Sequence, residues 1–287
     1  MKPLVMGVLN VTPDSFSDGG EYLRTEDAVA RGLAMVAEGA DIIDVGGESS
    51  RPGAQPVSAA EEMDRVLPVV AALAPHVRVS IDTVKAEVAR AAVAAGASLV
   101  NDISASDELA WVAGSAGSAA GAGAGGGVGW VAMHMQGTPP TMQADPRYTD
   151  VVAEVTAFLA ERVEVGRRAG VSEVWADPGI GFGKTFAHNL ALLGSLRAIA
   201  GAVGAPLLVG TSRKSFLWTI GAGPEGRLDV RDSLEPSLAT AVWAMDQGAG
   251  MVRVHDVAPT VAAARLIGQD VDPVEPVGSG SGAGVAA

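Results

Sequence analysis

The chain has 287 residues, a net charge of −13 with its four histidines neutral, and no cysteine. So acidic a chain repels polyphosphate backbones and anionic lipid surfaces, which disfavours binding to nucleic acids and membranes. The lack of cysteine excludes disulfides, thiolate nucleophiles and cysteine-ligated metal centres. Hydrophobic residues make up 48% of the chain, enough for a buried core, and the first residues lack the layout of a signal peptide. We therefore expect a cytoplasmic α/β domain of enzyme size.

Eight short apolar runs, separated by helical patterns, predict eight β-strands. They cover residues 4–9, 42–45, 77–81, 99–100, 130–133, 174–176, 207–209 and 251–254. Continuous apolar runs are typical of parallel strands that are covered on both faces. Eight strand–helix repeats in roughly 265 residues match the size of a (β/α)₈ TIM barrel, which is the fold we predict. A doubly wound open sheet is the alternative.

Residues 1–269 are expected to form this single barrel domain. Thr25 and Ser58 are predicted helix N-caps, the latter in a capping box with Glu61. Residues 113–129 are Gly, Ala and Ser except for Val128. We expect this low-complexity insert to shorten or fray the helix after strand 4, because each glycine costs about 1 kcal/mol relative to alanine. Residues 270–287, rich in Gly, Ser and Ala, are predicted to be a disordered tail.

Polar side chains follow the buried runs at all eight predicted strand ends. In a barrel these carboxyl-terminal ends form the catalytic face. Ser212, Arg213, Lys214, Arg253 and His255 follow or lie on strands 7 and 8, where barrels commonly bind phosphate. This cluster predicts an oxyanion site, since Arg and Lys suit phosphate oxygens. Scattered surface ion pairs are the alternative interpretation.

Asp82, Asn101 and Asp177 are expected to project into the barrel mouth from strands 3, 4 and 6. Carboxylates and amides in an apolar pocket need hydrogen-bond donors. A heterocycle with a ring N–H beside an exocyclic amine supplies them, as base edges do. The sequence thus predicts an aminated heterocycle on one side of the mouth and a phosphate on the other. Either aspartate could instead be a helix cap or part of an ion pair.

Two other patterns do not indicate the nucleotide or metal site that they first suggest. Residues 179–185 (GIGFGKT) resemble a phosphate-binding P-loop but have one residue too few before Gly-Lys-Thr. The four histidines are isolated and lack metal-ligand spacing, which disfavours a histidine-built metal site.

At eight places, in the order of the family, the sequence resembles dihydropteroate synthases. The matching blocks are residues 6–20 (MGVLNVTPDSFSDGG), 44–53 (DVGGESSRPG), 80–83 (SIDT), 101–102 (ND), 133–137 (MHMQG), 177–184 (DPGIGFGK), 212–214 (SRK) and 253–255 (RVH). The resemblance implies condensation of 6-hydroxymethyl-7,8-dihydropterin pyrophosphate with p-aminobenzoate, giving 7,8-dihydropteroate and pyrophosphate. It also implies Mg²⁺ and a homodimer. Ser50 stands where the family often has Thr, and the hydroxyl is kept.

The resemblance also implies roles for individual residues. The pterin would be held by Asp82, Asn101, Asp177 and Lys214, with Met133 and Phe182 beside it. Pyrophosphate and Mg²⁺ would be held by Asn10, Arg253 and His255, with Asn10 as the metal ligand. p-Aminobenzoate would be surrounded by Asp14, Phe16, Ser50, Arg51, Pro52, Ser212 and Arg213, partly on two long loops that close over it. The catalytic groups would be Lys214, Arg253, His255 and Asp82, assisting an S_N1-like departure of pyrophosphate.

Two other functions remain open at the level of sequence. A non-catalytic pterin- or phosphate-binding relative could share the fold, because fold alone does not decide function. A pterin-dependent methyltransferase on the same barrel is the second alternative, and it would lack the Ser-Arg-Lys phosphate site. The predicted enzyme releases pyrophosphate when both substrates are present. This release distinguishes it from a binding protein and from a methyltransferase.

Overall fold

The computed structural model describes residues 2–12, 21–49, 55–116, 127–220 and 233–267. Its strands are β1 (Leu4–Asn10), β2 (Ile42–Gly46), β3 (Arg78–Asp82), β4 (Leu99–Asp102), β5 (Gly129–Met133), β6 (Glu173–Asp177), β7 (Leu208–Val209) and β8 (Met251–Val254). Its helices are α1 (Glu21–Glu38), α2 (Ala59–Leu73), α3 (Ala86–Ala94), α4 (Asp107–Ala116), α5 (Val151–Arg168), α6 (Phe186–Gly194), α7 (Leu196–Val203), α8 (Leu217–Ile220), α9 (Leu234–Asp246) and α10 (Val257–Ile267).

The eight strands form one parallel sheet that closes on itself. Strands β1 to β6 pair in chain order, β8 pairs with β1, and β7 pairs with β8. A parallel bridge between Ala176 and Leu207 joins β6 to the residue before β7. The predicted (β/α)₈ TIM barrel is therefore confirmed, and the open sheet is wrong.

All eight predicted strands are present, and the polar residue after several of them belongs to the strand itself. Asn10 is in register with Gly46, Gly46 with Asp82, and Asp82 with Asn101. Their backbones continue the hydrogen-bonded ladder although their side chains are polar. Asn10, Asp82 and Asn101 are thus anchored in the sheet rather than on loops.

The two predicted N-caps have different outcomes. The Ser58 hydroxyl accepts a hydrogen bond from the Glu61 backbone N–H at 3.2 Å and caps α2, as predicted. The carboxylate of Glu61 pairs with Arg65, one turn further along α2, rather than completing the capping box. Thr25 as a cap is wrong, because α1 already begins at Glu21.

The helix after β4 is short, as expected from the glycines that follow it. Helix α4 has 10 residues and ends at Ala116, so it lies mostly before the low-complexity segment. Gly114 lies against the end of α5: a Cβ here would stand 1.9 Å from the Ala169 carbonyl oxygen. Residues 117–126 of the insert and the predicted tail at 270–287 lie outside the described residues.

No single helix in the described ranges is both long and apolar enough to cross a membrane. Among the helices described, α6 and α7 pass together on length and composition, and they are bent by 67° relative to each other.

A layer of apolar side chains fills the inside of the barrel and positions the site above it. This cluster consists of Met6, Ile42, Leu99, Val131, Trp175, Leu208 and Met251. Side chains two residues apart on a strand face the same way. The next interior layer, toward the carboxyl ends, therefore contains Asp44, Asn101, Met133, Asp177 and Arg253, one from each of five strands.

Candidate active site

Arg253 lies between two carboxylates at the centre of this polar layer. Its Nε donates to Asp44 Oδ2 at 2.6 Å, and its Nη2 donates to Asp82 Oδ2 at 2.8 Å. Burial by itself would lower the pKa of Arg253, but Asp44 and Asp82 raise it above its ordinary value. The guanidinium therefore stays charged, and Nη1 has no hydrogen bond to any residue that the structure describes.

Asp44 is fully buried and bonds to two other members of the layer, Arg253 and Asn101. Its Oδ2 also accepts a hydrogen bond from Asn101 Nδ2 at 2.9 Å, while its Oδ1 has no partner among the described residues. Burial raises the pKa of the neighbouring Asp82 to about 7, and Arg253 opposes this rise. The acidic and cationic groups are thus in direct contact within one mouth, as the prediction of a single shared site requires.

Lys214 joins the layer from the turn after β7. Its Nζ donates to the Ile180 carbonyl oxygen and lies 4.6 Å from the centre of the Phe182 ring. Burial lowers the pKa of Lys214 to about 8, and Asp177 opposes this shift. Burial raises the pKa of Asp177, while Lys214 and the Gly179 backbone N–H, which donates to Oδ1 at 2.7 Å, oppose the rise. Lys214, Asp177 and Phe182 thus form the second half of the site.

Ser212 holds His255 in a defined orientation. The Ser212 Oγ accepts the His255 backbone N–H at 3.2 Å and lies 3.0 Å from His255 Nδ1. When the hydroxyl donates to Nδ1, the ring proton is on Nε2, and the imidazole offers an N–H donor to an anion.

Arg213 pairs with Asp256 rather than with the residues around Arg253. Its guanidinium forms two hydrogen bonds with Asp256, at 2.7 and 3.3 Å, and its side chain is 46% exposed. Its φ of 58° is in the left-handed region, where a residue other than glycine is strained. The structure thus does not bring Arg213 into the group around Arg253.

Asn10 and Asp82 lie on the two strands that flank Gly46. A Cβ on Gly46 would stand 3.8 Å from Asn10 Oδ1 and 3.7 Å from Asp82 Oδ2. Oxygen ligands of this kind suit Mg²⁺, which is commonly bound by one or two protein oxygens together with substrate phosphates and water. In the described ranges no group of three or more His, Asp or Glu could hold a metal ion on its own.

Of the other predicted site residues, the structure describes Met133 but not those on the two long loops. Met133 is buried at the end of β5. Asp14, Phe16, Ser50, Arg51 and Pro52 lie outside the described residues, so their predicted contact with p-aminobenzoate stays a prediction.

Two buried groups were missed as candidate site residues. Asp44 lies inside a matching block, but an aspartate within an apolar strand gives no sign that it contacts Arg253, 209 residues away. Lys184 resembles the lysine of a P-loop, yet its Nζ binds the chain's own carbonyls. The residues on either side of Lys184 are uncharged. This was the sequence feature that could have indicated a buried lysine.

Asp102 follows Asn101 directly but has a structural role. It accepts hydrogen bonds from the Ser104 and Ser106 backbone N–H groups, both at 2.8 Å, from the Ser104 hydroxyl, and from Trp130 Nε1 at 3.2 Å. We expect Asp102→Ala to lower the free energy of unfolding by about 3 kcal/mol, because buried donors lose a charged acceptor. Urea denaturation measures this, and Asp107→Ala, which removes a 77% exposed carboxylate from its pair with Arg162, is expected to cost less than about 1 kcal/mol. Equal losses would contradict the assigned role.

Comparison with known proteins shows what this site is similar to. Residues 6–255 match the family described as pterin binding enzyme. The chain is 47% identical to the dihydropteroate synthase of Escherichia coli K12 over 270 residues, covering 92% of this chain and 90% of the relative.

Solved structures agree with this match. A Xanthomonas albilineans dihydropteroate synthase with 4-aminobenzoic acid superposes with a TM-score of 0.81 at 42% identity, covering 92% of each chain. The same organism's enzyme in complex with 7,8-dihydropteroate superposes with a TM-score of 0.78 at 39% identity, also covering 92% of each chain.

Proposed function

Because this chain belongs to the dihydropteroate synthase family of pterin binding enzymes, we propose that it transfers a pterin-methyl group to an arylamine. The substrates are 6-hydroxymethyl-7,8-dihydropterin pyrophosphate and p-aminobenzoate, and the products are 7,8-dihydropteroate and pyrophosphate. The observation that most supports this is the shared barrel mouth, where Arg253 bonds to Asp82 at 2.8 Å and the charges of Asp177 and Asp82 act on Lys214.

The buried acceptors at the bottom of the mouth fit the pterin. Asp177 and Asn101 are almost fully buried, and their oxygens can accept from ring N–H and amino groups. Lys214 contributes an ammonium beside the Phe182 ring. A flat, nitrogen-rich ring would therefore be held by charge on its edge and by Phe182 and Met133 at its sides.

The cationic groups fit the leaving group. The C–O bond to pyrophosphate breaks, a C–N bond to the arylamine forms, and the amine loses one proton. Arg253 and His255 would stabilise the negative charge that develops on the departing pyrophosphate. Electrostatic stabilisation of this kind is usually the largest single contribution to catalysis. An arylamine is nucleophilic at neutral pH, so this scheme needs no dedicated general base. The electron-rich dihydropterin can carry developing positive charge, which favours an S_N1-like transfer.

Asn10 would hold Mg²⁺ together with the oxygens of the pyrophosphate. The nearness of Asn10 Oδ1 and Asp82 Oδ2 to the Gly46 position, where no side chain comes between them, supports this choice. When bound, Mg²⁺ would neutralise charge on the diphosphate and so make it a better leaving group.

Release of pyrophosphate tests the proposed function. The purified chain with Mg²⁺ should release pyrophosphate only when both substrates are present, with one dihydropteroate formed per pyrophosphate. A binding protein would release none, and a pterin-dependent methyltransferase would instead bind a methylated folate. No release with both substrates would refute the proposal.

A homodimer and a cytoplasmic location stay predictions. The first rests on the family resemblance and the second on composition, and sedimentation measurements would test the first.

A further inference from the structure

Lys184 is a buried lysine that makes no direct contact with a carboxylate of any residue that the structure describes. It is 3% exposed, and its Nζ lies 2.9 Å from the Gly179 and Phe182 carbonyl oxygens and 3.2 Å from that of His134. The fourth neighbour is His134 Nδ1, at 3.0 Å. An ammonium has three N–H donors, so the backbone carbonyls and the imidazole nitrogen can use all of them.

The His134 ring is held in the form that suits its contact with Lys184. Burial, with the nearby charge of Lys184, lowers the pKa of His134 to about 3, so its ring is neutral and Nδ1 can accept. The ring also packs edge-on against Phe158, at 5.0 Å between centres. Burial lowers the pKa of Lys184 to about 7, and Asp177 opposes this shift. Burying a lysine is costly, and the cost is offset here by contacts that tie two loops together.

The tied loops follow β5 and β6 and lie directly on each other. A Cβ on Gly179 would stand 1.8 Å from the His134 carbonyl oxygen, and one on Gly183 would stand 2.4 Å from that of Gln136. Both glycines have positive φ, 65° and 61°, so the backbone can make this close approach. The backbone of the loop after β6 is therefore packed directly against the backbone of the loop after β5.

The loop after β6 in turn supports Lys214. The Ile180 carbonyl accepts the hydrogen bond from Lys214 Nζ, and the Phe182 ring lies beneath the same ammonium. A Cβ on Gly181 would stand 2.9 Å from Lys214 Cδ, so the loop also contacts the lysine stem. The position of Lys214 in the mouth thus depends on a loop whose carbonyls are gathered by Lys184.

We propose that Lys184 is a positioning residue: it gathers the carbonyls of the loops after β5 and β6 and so holds Ile180 and Phe182 where they orient Lys214 toward the pterin. It does not touch the substrate. The proposal rests on the proposed function, because the pterin is the ligand whose binding it affects.

Steady-state kinetics of Lys184→Met test this, with Lys2→Met as the matched control. Methionine keeps the stem but removes the donors, whereas Lys2 makes only an exposed pair with Asp41. We expect KM for dihydropterin pyrophosphate to rise about tenfold or more, while KM for p-aminobenzoate changes less than about twofold. Lys2→Met should change neither. A purely structural role would lower the active fraction, and thus kcat, and leave both KM values unchanged; that result would overturn the proposal.

A double variant asks whether Lys184 acts through Phe182. If it does, Lys184→Met combined with Phe182→Leu should lose no more than the larger single loss. Multiplicative losses would mean that the two side chains act independently, and would overturn the route through Phe182. If circular dichroism shows that Lys184→Met does not fold, His134→Leu is the second variant, because it removes one acceptor of Lys184 and keeps the lysine. The same difference between the two KM values is then expected.

Calorimetric titration with 6-hydroxymethylpterin separates this proposal from the proposed function. A wild-type chain that binds this pterin but releases no pyrophosphate would refute the function alone. Weaker pterin binding by Lys184→Met would still support the positioning role, and unchanged binding would overturn it.

Discussion

Replacing Arg253 with alanine is expected to lower kcat by about 10²–10³-fold, the loss typical of a group that stabilises developing negative charge. Nη1 is the guanidinium nitrogen left without a bond to any described residue, whereas Nε and Nη2 are held by Asp44 and Asp82. The two carboxylates fix the orientation of the guanidinium, and we expect the departing pyrophosphate to accept a hydrogen bond from Nη1. Pyrophosphate release, normalised to the folded fraction, measures the effect.

The same substitution should also destabilise the fold. It leaves Asp44, which is fully buried, without its charged partner, and breaking a buried ion pair typically costs about 3–5 kcal/mol. Arg90→Ala is the control, since Arg90 and its partner Glu108 are both largely exposed; it should change neither activity nor stability appreciably. Turnover within about twofold of wild type for Arg253→Ala would contradict the role given to this residue.

Replacing Lys214 with alanine is expected to lower kcat/KM for dihydropterin pyrophosphate by about 10²–10³-fold. The ammonium lies beside Ile180 and the Phe182 ring and is influenced by the charge of Asp177, so we expect its loss to weaken both pterin binding and stabilisation of the leaving group. Lys214→Arg should recover part of the activity, because it keeps the charge but changes its shape. Equal activity of the alanine variant and the wild type would contradict the site.

The pH dependence of the wild type follows from the same residue. Burial lowers the pKa of Lys214 to about 8, so its ammonium is lost, and kcat/KM for the pterin substrate falls, as pH rises through about 8. The sign for stability is opposite: between that value and the ordinary 10.5 the unfolded chain binds more protons, so this group's contribution to stability rises with pH. Lys214→Arg should remove the fall in activity near pH 8, and a fall that persists would assign it to another group.

The fold could be predicted because its signals are local. Each strand is a buried apolar run, and each begins where expected to within one residue, so strand count and fold class follow from the sequence. The far ends were less predictable: Asn10 and Asp82 look like loop residues but pair in the sheet. A polar side chain facing the barrel interior does not interrupt the backbone hydrogen bonds of its strand.

The partners of the site residues could not be predicted. The sequence predicts the strand ends that carry Asp82, Asn101, Asp177 and Arg253. It does not predict which of these side chains contact each other, because that depends on barrel closure and strand register. Arg253 bonds to Asp44 across 209 positions of the chain and to Asp82 across 171. The contact between acidic and basic groups, and the carbonyl cage around Lys184, exist only once the strands have closed.

A crystal structure with the non-reacting pair of pterin and pyrophosphate bound tests the account most directly. We expect the pterin edge on Asp177, Asn101 and Lys214, and the pyrophosphate within hydrogen-bond distance of Arg253, His255 and Asn10. A pterin that binds away from Asp177 and Lys214, or a pyrophosphate that leaves Arg253 untouched, would show that the barrel mouth does not work as described.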